Sequence, residues 1–337
     1  MTAAPSDSAL YALPKAELHL HIEGTLEPEL AFELAARNGV ALPYESVEQL
    51  AEQYEFSDLQ SFLNLYYATM DVLRTEDDFA ELTRRYLRTA SEQGVRHAEL
   101  FFDPQAHVAR GIPIEAVVDG ISSALEEGER DLGISGGLIL CFLRDAPVES
   151  ADAVLSAALT RPDRLLGVGL DSAEVGYPPE LFRDVFARAK DAGLHAVAHA
   201  GEEGPPSYIV QALDVLGAER IDHGIRAVED PALLERLAEE GMPLTVCPLS
   251  NVRLRTVPDL AAHPLHRLEE AGVLVTINSD DPAYFGGYIG ENYTAVRDAL
   301  GLTADQAERY ARTSIHASFA STARKAELQQ AVDAWRG

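Results

Sequence analysis

Short apolar runs recur along the chain, and each is followed by a stretch in which apolar residues repeat at helical spacing. Runs of this kind, bounded by turn-forming residues, are typical of buried strands. From the second run onward the runs begin about 20 to 45 residues apart, which leaves room for a strand and one crossover helix. The predicted strands are Ala16–Ile22, Val95–Phe102, Gly137–Leu143, Leu165–Asp171, His195–Ala200, Arg220–His223, Pro243–Cys247 and Val273–Ser279.

Eight strand–helix units in succession predict an α/β fold of the (β/α)8 TIM-type barrel. Such a barrel needs roughly 250 residues, so a chain of 337 residues has a surplus. The surplus falls in extra helices, one group in an insertion at about 45–93 between the first two strands and one in a C-terminal extension at about 304–336. No linker rich in Pro, Gly or Ser divides the chain, so we expect one domain over 1–337.

An open doubly wound sheet is the competing α/β architecture. When it binds a nucleotide, it carries a Gly-rich turn after its first strand. That turn is missing, and the nearest candidate, which begins at Gly167, lacks the third glycine of the pattern. A function that holds phosphate groups is therefore disfavoured.

The composition is strongly acidic, with 27 Lys and Arg against 55 Asp and Glu and a formal net charge of −28. Nucleic acids and anionic membranes attract basic surfaces, so we expect neither as a partner. The first twelve residues lack the features of a secretory signal, and no apolar run reaches the roughly 20 residues of a membrane span. The two cysteines, Cys141 and Cys247, lie in apolar runs, which favours buried thiols and a cytoplasmic location. The oligomeric state has no signal in the sequence.

Polar side chains collect where predicted strands end, and barrel enzymes carry their reactive groups at the C-terminal ends of strands. Four of the eight strand ends supply the His and Asp residues that we select as candidates. These residues are His19 and His21 on the first strand, His199 on the fifth, His223 on the sixth, and Asp280 with Asp281 after the eighth.

His19 and His21 are two residues apart, so on a strand both side chains point to the same face. Such a pair is often only hydrogen-bonded, but His199 and Asp280 end other strands at the same mouth of the barrel. Three imidazoles and one carboxylate suit Zn²⁺ with a position left for water, and Fe²⁺ or Mn²⁺ also fits. We predict one metal ion per chain, because a second ion would commonly need a bridging Lys that the fourth strand end lacks.

Water activated by a metal ion still needs a base and a proton donor. His223 ends the strand next to the fifth and is the candidate base, although a buried His bonded to backbone would give the same pattern. Glu202 follows His199 by three residues, after the bend that Gly201 permits, and is the candidate proton shuttle, although a solvated acidic residue would also be ordinary there. Asp281 is left to contact a substrate.

Five segments occur here in the order in which the adenosine and adenine deaminase family has them, and the chain resembles that family over nearly its whole length. They are Leu13–His19 (LPKAELH), His199–Glu202 (HAGE), Arg220–Gly224 (RIDHG), Val246–Asn251 (VCPLSN) and Ser279–Pro282 (SDDP). The HxE and PCxxC signature of the cytidine-type zinc deaminases is missing. The resemblance implies a metal-dependent barrel enzyme of the amidohydrolase group.

The resemblance also assigns roles by position. It implies that Glu202 is the proton donor to the purine ring, that His223 is the base that orients water, and that Asp281 contacts purine N7. The zinc ligands it implies are His19, His21, His199 and Asp280.

Two departures from the nucleoside-acting members indicate a free base as the substrate. Those members resemble HxHxDG at the first strand, whereas Glu23 stands in place of the Asp here. At the fourth strand they have a Gly-containing segment whose backbone meets N3, whereas this chain has Asp171-Ser-Ala-Glu174. We expect Glu23 or Glu174 to accept the N9–H of a free base, and Gly169 and Ser172 to line the substrate site.

The resemblance implies hydrolytic deamination of adenine at C6 to hypoxanthine and ammonia, a reaction of purine salvage. Adenosine and N6-substituted adenines such as cytokinins remain alternatives, because they would use the same catalytic residues. A catalytically silent purine-binding barrel is the alternative of another class, and the presence of Glu202, His223 and Asp281 together argues against it. A lactone or phosphotriester hydrolase would usually have the two-metal site whose Lys is missing.

Overall fold

The computed structural model describes residues 4–335. Its eight strands are all parallel and pair in the order of the chain. A parallel bridge between Leu20 and Asp280 joins the last strand to the first, so the sheet closes into a barrel. The strands are β1 (Lys15–His21), β2 (Val95–Phe102), β3 (Ser135–Leu143), β4 (Leu165–Asp171), β5 (His195–Ala200), β6 (Arg220–His223), β7 (Pro243–Val246) and β8 (Leu274–Ile277).

Helices follow the strands and surround the barrel. They are α1 (Asp7–Ala12), α2 (Pro28–Asn38), α3 (Val47–Ala51), α4 (Leu59–Thr69), α5 (Glu76–Glu92), α6 (Pro104–Val108), α7 (Ile114–Leu132), α8 (Val148–Ala158), α9 (Arg183–Asp191), α10 (Pro206–Gln211), α11 (Pro231–Glu240), α12 (Pro248–Arg253), α13 (Leu265–Glu270), α14 (Pro282–Phe285), α15 (Ile289–Leu300), α16 (Ala304–Ala317) and α17 (Thr322–Trp335).

The predicted (β/α)8 barrel is confirmed, and each strand end lies within two residues of its predicted place. The surplus helices are α3, α4 and α5 in the insertion and α16 and α17 in the extension. Residues 1–3 and 336–337, which belong to the predicted domain, and residue 336 of the predicted extension lie outside the described part. Within 4–335, no helix combines the length and the apolar character that crossing a membrane requires.

The barrel interior is filled by side chains rather than left open, as is usual for eight strands. Phe101, Ile139, Cys141 and Val197 form a buried cluster there. The Phe101 ring lies 5.2 Å from the ring of His19, between ring centres. This apolar layer supports the polar groups at the C-terminal ends of the strands.

A buried ion pair occupies the opposite half of the interior. Arg220 donates to Glu99 across 2.6 Å, and neither side chain is exposed. The backbone N–H of Phe319, in the connection between α16 and α17, also donates to Glu99. The C-terminal extension therefore closes the end of the barrel that lies away from the strand ends with reactive groups.

Candidate active site

Three histidines and one aspartate converge at the C-terminal mouth of the barrel. One ligand atom from each lies within 4.8 Å of the others, and all four residues are buried. The structure thus brings together the whole predicted metal-binding set. Its members are His19 and His21 on β1, His199 on β5, and Asp280 after β8.

The backbone of β1 holds Asp280 in place. Asp280 N–H donates to the carbonyl of His19 across 3.1 Å, and His21 N–H donates to the carbonyl of Asp280 across 3.0 Å. Asp280 has a φ of +67°, a left-handed conformation that is uncommon for a residue with a side chain. Its Oδ1 atom lies 3.3 Å from Nε2 of His19 as a result.

The buried imidazoles and the carboxylate of this cluster fit a divalent cation. Burial lowers the pKa of His21 to about 4 and holds that of His199 well below its usual range. Nε2 of His19 is buried without a hydrogen-bond partner. Polar atoms buried in this way are costly unless they are satisfied, and a cation bound by the cluster would satisfy them.

Each of the three histidines in the cluster has an oxygen atom near the ring nitrogen that faces away from the cluster. Such partners orient metal-binding imidazoles. None of these partners was predicted from the sequence, although Asp222 directly precedes His223 in the chain. The pairs are Thr245 Oγ1 with His19 Nδ1 at 3.0 Å, Asp171 Oδ2 with His21 Nδ1 at 3.6 Å, and Asp222 Oδ2 with His199 Nδ1 at 3.6 Å.

Glu202 follows β5 and turns into the same cavity. Its Oε2 lies 3.5 Å from Nε2 of His223, and its Oε1 is buried without a hydrogen-bond partner. Burial raises the pKa of Glu202 well above its usual range, and the charge of Asp280 adds to the effect. This shift favours the protonated form of the carboxyl group.

A chain of hydrogen bonds fixes which nitrogen of His223 carries the proton. The N–H of Leu265 donates to Nδ1 of His263 across 3.1 Å, and burial lowers the pKa of His263 to about 4. The neutral ring of His263 then carries its proton on Nε2 and donates to Oδ1 of Asn251 across 3.2 Å. The amide nitrogen of Asn251 donates in turn to Nδ1 of His223 across 3.3 Å, so His223 presents Nε2–H to the cavity.

Asp281 lies beside the cluster and lines the cavity. Its Oδ1 is buried without a hydrogen-bond partner. Burial, together with the charge of Asp280, raises the pKa of Asp281 well above its usual range. A Cβ atom at Gly24 would lie 2.6 Å from the Cα of Asp281, so only glycine allows this approach of the β1 end to the β8 end.

Helix α4 of the insertion covers the cavity. Its contribution is mostly apolar, and Tyr67 adds a hydroxyl group that lies 3.0 Å from Oγ of Ser172. Ser172 thus lines the cavity, as predicted. The α4 residues at the cavity are Leu59, Phe62, Leu63, Tyr66 and Tyr67.

The family model for adenosine deaminase matches residues 14–335. The chain belongs to the adenosine deaminase family. An adenine deaminase of Streptomyces coelicolor is 64% identical to it over 311 residues, which are 92% of each chain. A solved adenine deaminase from Arthrobacter aurescens has 56% identity and a TM-score of 0.95, with 96% of this chain and 99% of that chain covered.

A more distant solved member of the amidohydrolase group, from Burkholderia ambifaria, contains bound zinc. It has 28% identity and a TM-score of 0.89, and the match covers 100% of this chain and 98% of that chain. The resemblance to the family, which the sequence motifs predicted, is therefore confirmed.

Glu174 lies after the fourth strand, where this chain differs from the nucleoside-acting members of the family. It does not line the cavity. Both of its oxygens accept backbone N–H groups, from Gly201, Glu202, Glu203 and Gly204, at 2.7 to 3.1 Å. The carboxylate holds the loop that carries Glu202. The predicted contact between Glu174 and substrate N9–H stays a prediction, and the geometry favours the loop instead.

Glu23 is the residue at the first strand that differs from the nucleoside-acting members. It also forms hydrogen bonds within the protein. Its Oε1 accepts from Nε2 of His107 across 2.7 Å and from the backbone N–H of Asp103 across 3.1 Å. Its predicted contact with N9–H likewise stays a prediction. Gly169 lies deeper, where a Cβ would be 2.6 Å from Sγ of Cys141, so it contributes close packing rather than a cavity surface.

Asp103 is a cavity residue that sequence analysis missed. It directly follows β2, and the rule that strand ends carry chemistry would have selected it. Its Oδ1 is buried without a hydrogen-bond partner. Burial raises the pKa of Asp103 well above its usual range, and the nearby Asp171 carboxyl adds to the effect.

Proposed function

We propose that this protein hydrolyses the 6-amino group of adenine, giving hypoxanthine and ammonia, and that it uses one zinc ion per chain. One observation carries the proposal: Glu202, His223 and Asp281 face the same covered cavity as the histidine cluster. The high identity to adenine deaminases over nearly the whole chain supports the choice of substrate. The complete set of polar groups argues against a silent purine-binding barrel.

The zinc ion would be held by the four clustered residues, His19, His21, His199 and Asp280. A zinc ion in such a site lowers the pKa of water and supplies a nucleophile at neutral pH. Fe²⁺ and Mn²⁺ fit the same donors, so metal analysis of the purified protein identifies the native ion.

Glu202 would activate the ring for attack. Its carboxyl proton passes to N1 of adenine, which makes C6 more electrophilic and leaves a carboxylate. Nε2–H of His223 donates a hydrogen bond to the attacking oxygen and orients it toward C6. One proton of the attacking water passes to the departing amino group, which leaves as ammonia. The second proton leaves the oxygen on C6 as the carbonyl group forms and returns to the carboxylate of Glu202, so water is the only co-reactant.

Asp281 would bind adenine at its imidazole ring, which is fused to the six-membered ring. The raised pKa of its carboxyl group favours the protonated form, which can donate to N7, an acceptor in adenine. The apolar face of α4 covers the base and excludes bulk water, which strengthens each of these hydrogen bonds.

An ultraviolet assay with adenine, adenosine, adenosine monophosphate and isopentenyladenine tests the proposal. We expect adenine to have the highest kcat/KM by a wide margin. Glu202→Gln is the matched control, because it should keep the fold and the metal while losing about 10²-fold to 10⁴-fold or more in activity. Absence of turnover in the zinc-loaded protein would contradict the function, and better turnover of adenosine would contradict the substrate.

Further features remain proposals from the sequence. The acidic composition supports a protein that acts on a small purine without nucleic-acid or membrane partners. The two free, buried cysteines support a cytoplasmic location. We also propose that residues 1–337 work as one domain.

A further inference from the structure

A free purine base carries a proton on N9 that a nucleoside lacks. An enzyme that selects the free base gains from an acceptor at that position, because a buried acceptor left unpaired by the wrong substrate is costly. In the described residues, the cavity wall should therefore contain an oxygen that has no partner within the protein and lies on the imidazole side of the bound base.

The two glutamates expected for this role are already engaged. Glu174 accepts four backbone N–H groups. Oε1 of Glu23 accepts from His107 and from the backbone of Asp103. Its Oε2 has no hydrogen-bond partner, but Glu23 is not among the residues that line the cavity. Asp171 lines the cavity and its Oδ1 has no hydrogen-bond partner, but its Oδ2 lies 3.6 Å from Nδ1 of His21 and supports that ligand. It also ends β4, next to the strand of Glu202, and so lies toward the six-membered ring of the base.

Asp103 has the required properties. It lines the cavity, only 2% of its surface is exposed, and its Oδ1 has no hydrogen-bond partner. Its backbone N–H is held by Glu23, so the side chain starts from a fixed position.

The strand order places Asp103 on the correct side of the base. In the proposed function Asp281, after β8, meets N7, and Glu202, after β5, meets N1. Strands β8, β1 and β2 are consecutive around the barrel, so Asp103 after β2 continues the arc that begins at Asp281. N7 and N9 belong to the same five-membered ring, so this arc faces N9.

We infer that Asp103 accepts a hydrogen bond from N9–H of the base and thereby selects the free base over a nucleoside. The inference rests on the proposed function, because it uses the orientation of adenine given there. It adds a binding residue on β2, a strand that contributes no group to the proposed metal or proton-transfer steps.

The ratio of the kcat/KM values for two substrates tests the inference. The zinc-loaded enzyme is assayed with adenine and with 9-methyladenine, which differs by the N9 proton and one methyl group. We expect the kcat/KM ratio to favour adenine by about 10³-fold or more in the wild type and to fall by about 100-fold in Asp103→Ala. Losses of metal or of proton transfer cancel in the ratio, because both substrates depend on them equally.

Two further variants complete the design. Asp103→Leu keeps the branched shape of the side chain while removing the acceptor, so it replaces the Ala variant if that protein fails to fold, and its ratio should also fall. Asp145→Ala removes an exposed carboxylate near the same rim and should leave the ratio unchanged. A wild-type ratio near one, or a ratio within threefold of wild type in the folded Asp103 variants, overturns the inference while adenine turnover itself keeps the proposed function intact.

Discussion

Backbone strain is concentrated at single residues of the site. Ser172, His223 and Asp280 have positive φ angles, and Arg255 is the other non-glycine residue with one among residues 4–335. Such conformations cost about 1 to 3 kcal/mol each and persist only where the surroundings enforce them. The strands next to these residues, and the bridge at Asp280, provide that enforcement. The side chains are therefore aimed by the backbone before any ligand binds.

Asn251→Asp tests the hydrogen-bond chain that ends at His223. A carboxylate offers only acceptors, so His223 should move its proton to Nδ1 and lose the Nε2–H that faces the cavity. We expect kcat to fall about 10²-fold to 10⁴-fold, with zinc content and Tm close to wild type. Nitrogen-15 NMR of the histidines reports the tautomer directly. Asn64→Asp adds the same charge at an exposed position and should change neither readout; a wild-type tautomer in Asn251→Asp would contradict the chain.

Connections between elements carry much of the chemistry. The loop from β5 to α10 holds Glu202, and its backbone is bound by the carboxylate of Glu174 after β4. Loops of this kind are usually the most mobile part of a barrel. Here four charge-assisted hydrogen bonds to one side chain make the loop part of the rigid frame.

Glu174→Gln should loosen that loop. The amide group places a donor among four backbone donors, and hydrogen bonds to a charged group contribute about 1.5 to 3 kcal/mol each. We expect kcat to fall by about 10-fold to 100-fold while zinc content is retained, and the amides of residues 201–204 to exchange hydrogen faster. Glu203→Gln is the control, because it changes a side chain of the same loop that takes no part in the four hydrogen bonds and leaves the backbone N–H of that residue in place. Unchanged exchange in Glu174→Gln would show that the carboxylate does not hold the loop.

The whole molecule unites groups from distant parts of the sequence at one mouth of the barrel. The cluster that would bind zinc draws on β1, β5 and the end of β8. A cation held there binds the folded protein and not the unfolded chain. Binding to one state only raises the free energy of unfolding, so metal content and global stability are linked.

Removal of the metal should therefore destabilise the entire barrel. At a free zinc concentration about 1,000 times Kd, binding adds about 4 kcal/mol to the free energy of unfolding. We expect a chelator to lower Tm and zinc to restore it, with one ion bound per chain by metal analysis. The Tm of His199→Ala should change little when zinc is added. His266→Ala is the control, because His266 is hydrogen-bonded to the carbonyl of Leu300, and its Tm should respond to zinc like that of the wild type. Equal Tm values with and without zinc would contradict the linkage.

The sequence was most informative where function follows from strand position. The alternation on β1 and the polar ends of β5 and β8 predicted the barrel and which residues would meet at its mouth. Hydrogen bonds made by loop residues have no comparable pattern in the sequence. The four amides bound by Glu174, and the link from Asn251 to His263, depend on how loops fold back, and neither follows from spacing. Asp103 directly follows a strand, so its position could have been predicted from the rule that strand ends carry reactive groups. It was not predicted because no histidine lies next to it in the sequence.

Asp280 is both the residue that bridges β8 to β1 and a member of the metal cluster. During synthesis, His19 and His21 leave the ribosome early, and Asp280 follows only after most of the chain. The cluster cannot be complete until the last strand docks against the first, a contact between distant parts of the sequence that forms slowly. Loading with metal is therefore a late event in the life of each new molecule, and a chain cut short before its eighth strand would be made without a complete site.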